Sequence, residues 1–348
     1  MTVTESTPAT LGISAFAPDL EGMLRIARAA DAAGLDTTWT SELFNRSATI
    51  PLAAMASVTQ RCKLGSAITY GVGRTPLAMN AEARDLDELS GGRFVLGLGN
   101  GTRRMISDWH GLDPDAPAVR MEELVGLLRK LWKIHESPID HEGRFYRLKF
   151  HPIEDTPPPL SERLPIYTAG ANPRMIETAG RVADGVIAHP ICSLRYLEEV
   201  VRPAVARGAE HAGRNPADIA VTSMVISVVH ADEEQARDEA ANQISFYSAV
   251  KSYHGVLAAG GFGEEVERIR EAFVARDLPA MRRAVTDRMI DELAVTGTAD
   301  QVMAGLKRYD GVLDQTIIYS PTHNIAPERV EENLFSLIAM VDASRAVV

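Results

Sequence analysis

The chain has 348 residues, of which 45% are hydrophobic and 24% are charged, a composition typical of a globular protein with a sizeable core. Its formal net charge of −11 argues against a nucleic-acid partner, because phosphate backbones are bound by clustered cations. No apolar run approaches the roughly 18 residues that a membrane-spanning helix needs, and residues 1–10 predict a disordered arm without a signal peptide. Cys62 and Cys192 are far apart and indicate small buried side chains in a cytoplasmic protein.

Short apolar runs alternate along the chain with segments in which apolar residues recur every three or four positions, as on one face of a helix. The first run, Leu11–Phe16, precedes a helix predicted over Leu20–Ala33, and Gly34 supplies its C-terminal cap. The other predicted strands are 37–40, 63–70, the start of 93–102, 165–169, 185–189, 219–229 and 315–319. The other predicted helices of this series are 52–59, 77–89, 173–182, 194–211 and 327–341. Eight strand–helix repeats predict an α/β fold, a parallel (β/α)8 TIM barrel, and a doubly wound sheet is the alternative.

Two intervals are too long for simple crossovers between parallel strands. Residues 102–164 predict an amphipathic helix, Met121–His135, followed by a hairpin, Ile139–Phe150, whereas residues 231–310 predict mostly helix. Insertions at the C-terminal face of a barrel shape the substrate pocket or an oligomer interface, and the sequence leaves both open. Because no low-complexity linker interrupts the chain, residues 11–348 are predicted to form one domain.

Four blocks, in this order, resemble motifs of the luciferase-like monooxygenase superfamily. They are Gly34–Glu42 (GLDTTWTSE), Gly91–Gly101 (GGRFVLGLGNG), Leu164–Gly170 (LPIYTAG) with Ala179–Val186 (AGRVADGV), and Thr296–Val302 (TGTADQV). The resemblance implies a (β/α)8 barrel that holds a flavin or deazaflavin at the C-terminal ends of its strands. The likeness is greatest to the actinobacterial branch that uses coenzyme F420, a 5-deazaflavin.

The resemblance also implies a cofactor site built largely from backbone. Family members carry a non-prolyl cis peptide after the third strand, which in this chain falls at Ala67–Ile68. The glycines that end the fourth strand are expected to let backbone approach a ligand, and the cofactor phosphate is expected against N–H groups where helices begin. Arg74, Arg103 and Arg104 are the predicted cations for the phosphate or for the acidic tail of a deazaflavin. The residues predicted to bind the cofactor are Ala67, Ile68, Thr69, Asn100, Gly101, Thr102, Arg103, Gly170, Ala171 and Asn172.

Glu42 and His189 are the predicted catalytic residues. Glu42 ends the second strand, inside the mouth of the predicted barrel, where a carboxylate is seldom without a role. Leu43 follows it, at a position where luciferase and the sugar-phosphate dehydrogenase branch carry a histidine. Because a leucine cannot transfer protons, alcohol oxidation through that histidine is disfavoured. His189 and His323 follow strands and are predicted general acids with pKa values near neutrality.

The sequence thus predicts an oxidoreductase that transfers a hydride between C5 of coenzyme F420 and a small organic substrate. Two alternatives stay open: a monooxygenase that uses reduced FMN and oxygen, and a flavin-binding barrel without turnover. No H-x-H, H-E-x-x-H or G-x-S-x-G motif occurs, and the glycines fail the Rossmann spacing, so no metal is expected. The resemblance further suggests a homodimer.

Overall fold

The computed structural model describes residues 8–152 and 155–346. In those residues the strands are β1 (Thr10–Ser14), β2 (Thr37–Thr40), β3 (Lys63–Ser66), β4 (Thr69–Tyr70), β5 (Phe94–Gly99), β6 (Ile139–Glu142), β7 (Arg147–Phe150), β8 (Ile166–Gly170), β9 (Gly185–Ala188), β10 (Ala220–Val229), β11 (Ala294–Gly297) and β12 (Gln315–Tyr319). The α-helices are α1 (Leu20–Ala33), α2 (Thr49–Ala56), α3 (Pro76–Ser90), α4 (Pro117–Trp132), α5 (Pro173–Val182), α6 (Leu194–Tyr196), α7 (Arg202–His211), α8 (Glu233–Ser248), α9 (His254–Ala259), α10 (Gly263–Val274), α11 (Leu278–Arg283), α12 (Asp287–Leu293), α13 (Ala299–Leu306) and α14 (Pro327–Ala346). No helix among the described residues is long and apolar enough to cross a membrane.

The strands form a closed parallel barrel. Their order is β10-β12-β1-β2-β3-β5-β8-β9, and β9 pairs with β10 to close the circle. These are the eight strands expected from the alternation of apolar runs, so the prediction of a (β/α)8 barrel is confirmed. The predicted third strand, 63–70, is divided into β3 and β4, both of which pair with β5.

One strand was missed. β11 pairs in parallel with the end of β10, with Ile226 opposite Ala294 and Val229 opposite Gly297. It lies within the interval 231–310, which was predicted to be mostly helical and does contain α8–α12. A strand of four residues directly after a helix offers too few positions for a period of two to be recognised.

The chain divides into two compact units. The terminal unit contains the described residues up to Thr38, Ala188–Pro203 and those from Ala220 onward, and the central unit contains Trp39–Ile187 and Ala204–Ile219. Ala9 donates its N–H to Asp310 (2.9 Å), directly before β1, while the first seven residues of the predicted arm lie outside the described residues.

Helix α1 of the terminal unit shows why the sequence predicted its ends correctly. The Asp19 carboxylate accepts a hydrogen bond from the Gly22 N–H (2.7 Å), which caps the first turn. Gly34 has a φ of 76°, the left-handed conformation that ends a helix and that glycine adopts without strain. Between these caps, Met23 and Ile26 belong to the apolar face that is buried in the core.

The insertion in the central unit contains α4 and the antiparallel hairpin β6–β7. Helix α4 begins at Pro117, one turn earlier than the predicted Met121, because proline is favoured in a first turn. Glu123 ties the helix to the hairpin by accepting hydrogen bonds from the N–H groups of Phe145 (3.0 Å) and Tyr146 (2.8 Å). Burial opposes the charge of Glu123, but these bonds outweigh it and lower the pKa of the carboxyl group.

Both cysteines lie in the core, as predicted. Cys62 and Cys192 are buried, and burial raises the pKa of Cys192 to about 12. Its side chain is therefore a thiol at neutral pH and behaves as a small apolar group.

Asp184 fixes the start of β8 in the central unit. Its carboxylate accepts hydrogen bonds from Arg129, from Arg163 (2.5 Å) and from the Ile166 N–H (2.8 Å). Burial would raise the pKa of Asp184, but the charge of Arg129 and these bonds lower it, so the group is held ionised.

We predict that Asp184→Asn lowers the free energy of unfolding by about 2 kcal/mol or more, since it leaves Arg129 without its charge partner. Urea unfolding monitored by circular dichroism measures the loss. Asp108→Asn is the matched control, because Asp108 pairs with Arg104 on the surface, and it should cost less than about 0.5 kcal/mol. Equal stabilities of the two variants would contradict the role of Asp184 as a stabilising charge partner of Arg129.

Candidate active site

In the central unit, the peptide bond between Ala67 and Ile68 is cis, which confirms the prediction. The last residue of β2 and the two residues after it hold this bulge through three hydrogen bonds. The Ala67 N–H donates to the Thr40 carbonyl (2.7 Å), the Glu42 N–H donates to the Ile68 carbonyl (2.8 Å), and the Ser41 hydroxyl donates to the Ala67 carbonyl (2.6 Å). The backbone ahead of Thr69 is thus fixed on both sides of the cis bond.

Two glycines of β5 make room for the bulge. A Cβ atom on Gly97 would lie 1.7 Å from the Ser66 carbonyl oxygen, and one on Gly99 would lie 2.7 Å from Cδ1 of Ile68. The Ser66 hydroxyl also donates to the Gly97 carbonyl (2.8 Å). At positions 97 and 99 glycine is therefore required by the packing of the chain itself, and the approach of this backbone to a ligand stays a prediction.

The carboxylate of Glu42 is fully engaged with its own chain. It accepts hydrogen bonds from the Tyr70 N–H (3.1 Å) and from Nη1 of Arg74, which reaches its two oxygens at 2.9 and 2.8 Å. The Arg74 and Glu42 side chains are only 15% and 12% exposed, and Arg74 also pairs with Glu82 (2.8 Å). Burial disfavours the charge of Arg74, but the hydrogen bonds and negative charges of Glu42 and Glu82 together outweigh it and raise the pKa. The catalytic role of Glu42 stays a prediction.

The loops after β5 and β8 lie side by side. Nδ2 of Asn100 donates to the Pro117 carbonyl (3.3 Å) and contacts the sulfur of Met175 (3.7 Å), which belongs to the first turn of α5. Asn172 caps that helix by accepting the Met175 N–H (3.1 Å), and Thr102 accepts the Met105 N–H (3.2 Å) at the start of the next turn. Asn100 therefore places the end of β5 against the first turn of α5, and phosphate binding by the two loops stays a prediction.

Gly170, the last residue of β8 and a predicted phosphate-binding residue, lies against the backbone of α5. A Cβ atom there would lie 3.1 Å from the backbone nitrogen of Ile176 and 3.2 Å from the carbonyl carbon of Met175. This glycine therefore allows α5 to pack closely against β8, and a larger residue would press on the helix backbone.

A shallow, open recess lies beside the loop after β5. It is lined by Val72, Asn100, Gly101, Arg103, Ile106, Pro114, Asp115, Pro117 and Arg120. We call it the arginine recess. Arg103 pairs with Asp115 (2.8 Å), while Arg120 donates to the Asp113 carbonyl (2.7 Å) and lies over the ring of Phe145.

The arginines predicted to bind the cofactor have different surroundings. Arg103 lines the arginine recess, Arg74 is paired with two carboxylates, and Arg104 is 86% exposed and pairs with Asp108. Arg120 was missed because the predicted helix began one residue after it. Arg120 could have been found from the sequence, as a cation in the first turn of a helix that begins at Pro117.

In the terminal unit, four side chains surround the end of β9 and form what we call the tyrosine cluster: His189, Tyr247, Tyr253 and Tyr319. The His189 ring lies 4.0 Å from that of Tyr253 and 4.6 Å from that of Tyr247, measured between centroids. Burial lowers the pKa of His189 to about 3, so the predicted value near neutrality is wrong and the imidazole is neutral at cellular pH. Its catalytic role stays a prediction.

Residues 1–316 match the sequence profile of the luciferase-like monooxygenases. The uncharacterized protein Rv1360 of Mycobacterium tuberculosis is 33% identical over 306 residues, which cover 84% of this chain and 90% of that protein. The F420-dependent glucose-6-phosphate dehydrogenase of Amycolatopsis mediterranei is 26% identical over 309 residues, with coverages of 85% and 87%.

Among solved structures, the coenzyme F420-dependent tetrahydromethanopterin reductase of Methanopyrus kandleri has a TM-score of 0.77 to this chain at 22% identity. The superposition covers 96% of this chain and 99% of the reductase, and it agrees with the barrel described above. The chain belongs to the luciferase-like monooxygenase family, which is a family of oxidoreductases and monooxygenases.

We predict that His189 makes the protein less stable in mild acid. The unfolded imidazole binds a proton near pH 6.5 and the folded one only near pH 3, so the unfolded state binds more protons between these values. Lowering the pH from 7 to 5 should therefore cost up to about 2 kcal/mol from this residue. Urea unfolding at both pH values measures the difference, which should shrink in His189→Gln.

His211→Gln, at an exposed position, is the control for this experiment and should leave the difference between the two pH values unchanged. A His189→Gln variant with the wild-type pH dependence would show that the imidazole is not excluded from protonation.

Proposed function

We propose that this protein is a deazaflavin-dependent oxidoreductase that transfers a hydride between coenzyme F420 and a small organic substrate. The observation that carries the proposal is the arginine recess, in which Arg103 and Arg120 lie beside the strand-end residues Asn100 and Gly101, and Asn100 also contacts Met175 in the first turn of α5. The similarity to F420-dependent enzymes supports it further.

The arginine recess suits a ligand with several negative charges. Guanidinium groups bind phosphate and carboxylate groups with paired hydrogen bonds, and Asn100 adds an amide at the same rim. Asp115 balances the charge of Arg103, so the two arginines leave the recess one positive charge in excess. In a chain with a net charge of −11, this local excess favours the phosphate and acidic tail of coenzyme F420.

The bound cofactor would supply the hydride, and the chain's own residues bind and orient the reactants. Glu42 acts in this proposal as a positioning residue, because its bonds to Arg74 and to the Tyr70 N–H hold the segment that follows Ala67–Ile68. Leu43 follows it and is 37% exposed, so this position offers no base to accept the hydroxyl proton of an alcohol substrate. Reduction of an activated C=C, C=N or C=O bond is therefore favoured over alcohol oxidation. The homodimer and the cytoplasmic location suggested by the sequence are kept as parts of the proposal.

Parallel fluorescence titrations of the purified protein with coenzyme F420 and with FMN test the cofactor. Micromolar binding of F420, with FMN much weaker, is the expected result. Preference for FMN, with oxygen consumption when the flavin is reduced, would instead favour the monooxygenase alternative. Tight F420 binding without turnover on a broad panel of enones, imines and quinones would favour the cofactor-binding barrel.

We predict that the double variant Arg103→Ser/Arg120→Ser binds F420 at least about tenfold more weakly, because two charge-assisted contacts are lost. The phosphate-free riboside of the same deazaflavin serves as a matched ligand, and its affinity should be unchanged in the variant. Arg104→Ser is the control variant, since Arg104 points to solvent beside the recess residue Arg103. An equal loss of affinity for F420 and for the riboside would show that the phosphate and acidic tail of F420 do not bind in the arginine recess.

A further inference from the structure

Phe145 brings two guanidinium groups together in the central unit. It lies in the turn between β6 and β7. The guanidinium carbon of Arg120 is 4.7 Å from the centroid of its ring, and that of Arg144 is 4.9 Å from the same centroid. Contact with an aromatic ring attracts a guanidinium group without using its N–H groups, which stay available to a ligand. We call Arg120, Arg144 and Phe145 the cation–π group.

Hydrogen bonds fix the position of this turn against α4. The Glu123 carboxylate accepts the N–H groups of Phe145 (3.0 Å) and Tyr146 (2.8 Å). Arg120 lies one turn before Glu123 on the same helix, is half-buried, and donates to the Asp113 carbonyl (2.7 Å). The phenyl ring and one of the two guanidinium groups are thus held in place by the fold, which reduces the entropy that a ligand loses on binding there.

Arg144 differs from the other cations of the hairpin. Arg147 pairs with Glu142 across the two strands (2.8 Å), and Lys149 pairs with Asp140 (3.5 Å). Arg144 is exposed and forms no ion pair with any residue that the structure describes. Its charge is therefore not compensated by a carboxylate of the hairpin.

Arg120 also carries an uncompensated charge, since it forms no ion pair within residues 8–152 and 155–346. The nearby carboxylates have other partners: Asp115 pairs with Arg103 (2.8 Å), and Glu123 accepts backbone N–H groups and contacts His141 (3.2 Å). Two like charges beside one ring repel each other, and an anion that contacts both offsets this repulsion.

The cation–π group continues the arginine recess, because Arg120 belongs to both. A ligand with a single anionic group in the recess does not also need Arg144. A short chain that bears several carboxylates can contact both guanidinium groups, each of which binds a carboxylate through paired N–H groups. The arrangement therefore suits a ligand that is anionic in the recess and carries further carboxylates beyond it.

We propose that the cation–π group binds the acidic tail of the cofactor at a subsite beyond the phosphate. The protein then selects deazaflavin forms that carry several tail carboxylates. This inference rests on the proposed function, which it extends from the phosphate to the tail, although binding of carboxylates at the cation–π group can be measured without a deazaflavin.

Fluorescence titrations of the full-length protein with two forms of the deazaflavin test the inference. One form is F420 with several glutamates in its tail, and the other keeps the phosphate but lacks the glutamates. The tailed form should bind at least about tenfold more tightly, because it adds charge-assisted contacts. Equal affinities for the two forms would overturn the inference and leave the proposed function standing.

Variants assign the preference to the cation–π group. Arg144→Ser should reduce the preference for the tailed form to about threefold or less and leave the affinity for the tail-free form unchanged. Arg147→Ser is the matched control, since Arg147 lies in the same hairpin but is paired with Glu142, and it should keep the wild-type preference. Phe145→Leu should reduce the preference and Phe145→Tyr should retain it, because only the aromatic ring attracts the guanidinium groups. A wild-type preference in Arg144→Ser would overturn the inference.

A probe without a deazaflavin separates this inference from the proposed function. A tetraglutamate peptide that carries an uncharged fluorescent dye should bind the full-length protein at low ionic strength, as measured by fluorescence anisotropy. Its affinity should fall at least about fivefold in Arg144→Ser and stay unchanged in Arg147→Ser. Peptide binding of this kind by a protein that binds neither deazaflavin form would refute the proposed function and leave the carboxylate subsite standing. Peptide binding that is the same in wild type and Arg144→Ser would overturn the subsite.

Discussion

The ion pair between Glu42 and Arg74 is the constraint on which the strand ends of the central unit depend. It joins the segment after β2 to the segment after β4, and the Tyr70 N–H completes the coordination of the carboxylate. Removing one partner of such a poorly exposed pair leaves the other charge uncompensated, at a cost of about 3–5 kcal/mol. The Glu42 N–H also donates to the Ile68 carbonyl (2.8 Å), so the same residue holds the segment around Ala67–Ile68. The ion pair therefore contributes to the geometry of these strand ends.

The arginine recess and the surroundings of His189 differ in charge. The arginine recess offers guanidinium groups, which suit phosphate or carboxylate groups that keep part of their hydration. The His189 imidazole packs against the rings of Tyr247 and Tyr253 and is neutral, because burial lowers its pKa to about 3.

The sequence predicted those features that depend on neighbours along the chain. The ends of α1 follow from the cap Asp19 and from Gly34, and the barrel follows from the spacing of apolar runs. The cis bond could be placed only through a family resemblance, because no local pattern signals it. The ion pair of Glu42 joins residues 32 positions apart, and the desolvation of His189 comes from helices and loops distant in the chain. Such contacts between distant segments determine the protonation and the partners of site residues, and no local spacing encodes them.

Gly97 has a consequence for engineering. Because its missing side chain leaves space that the Ser66 carbonyl occupies, every other amino acid at this position collides with backbone that no rotamer change can move. Gly99 is less restricted, since the atoms that a Cβ there would meet belong to the Ile68 side chain, and a smaller residue at position 68 would remove them. Directed evolution of this scaffold should therefore hold position 97 invariant and treat positions 68 and 99 as a coupled pair. A bulkier residue at one is then offset by a smaller residue at the other, which opens a route to reshape the barrel wall without loss of the fold.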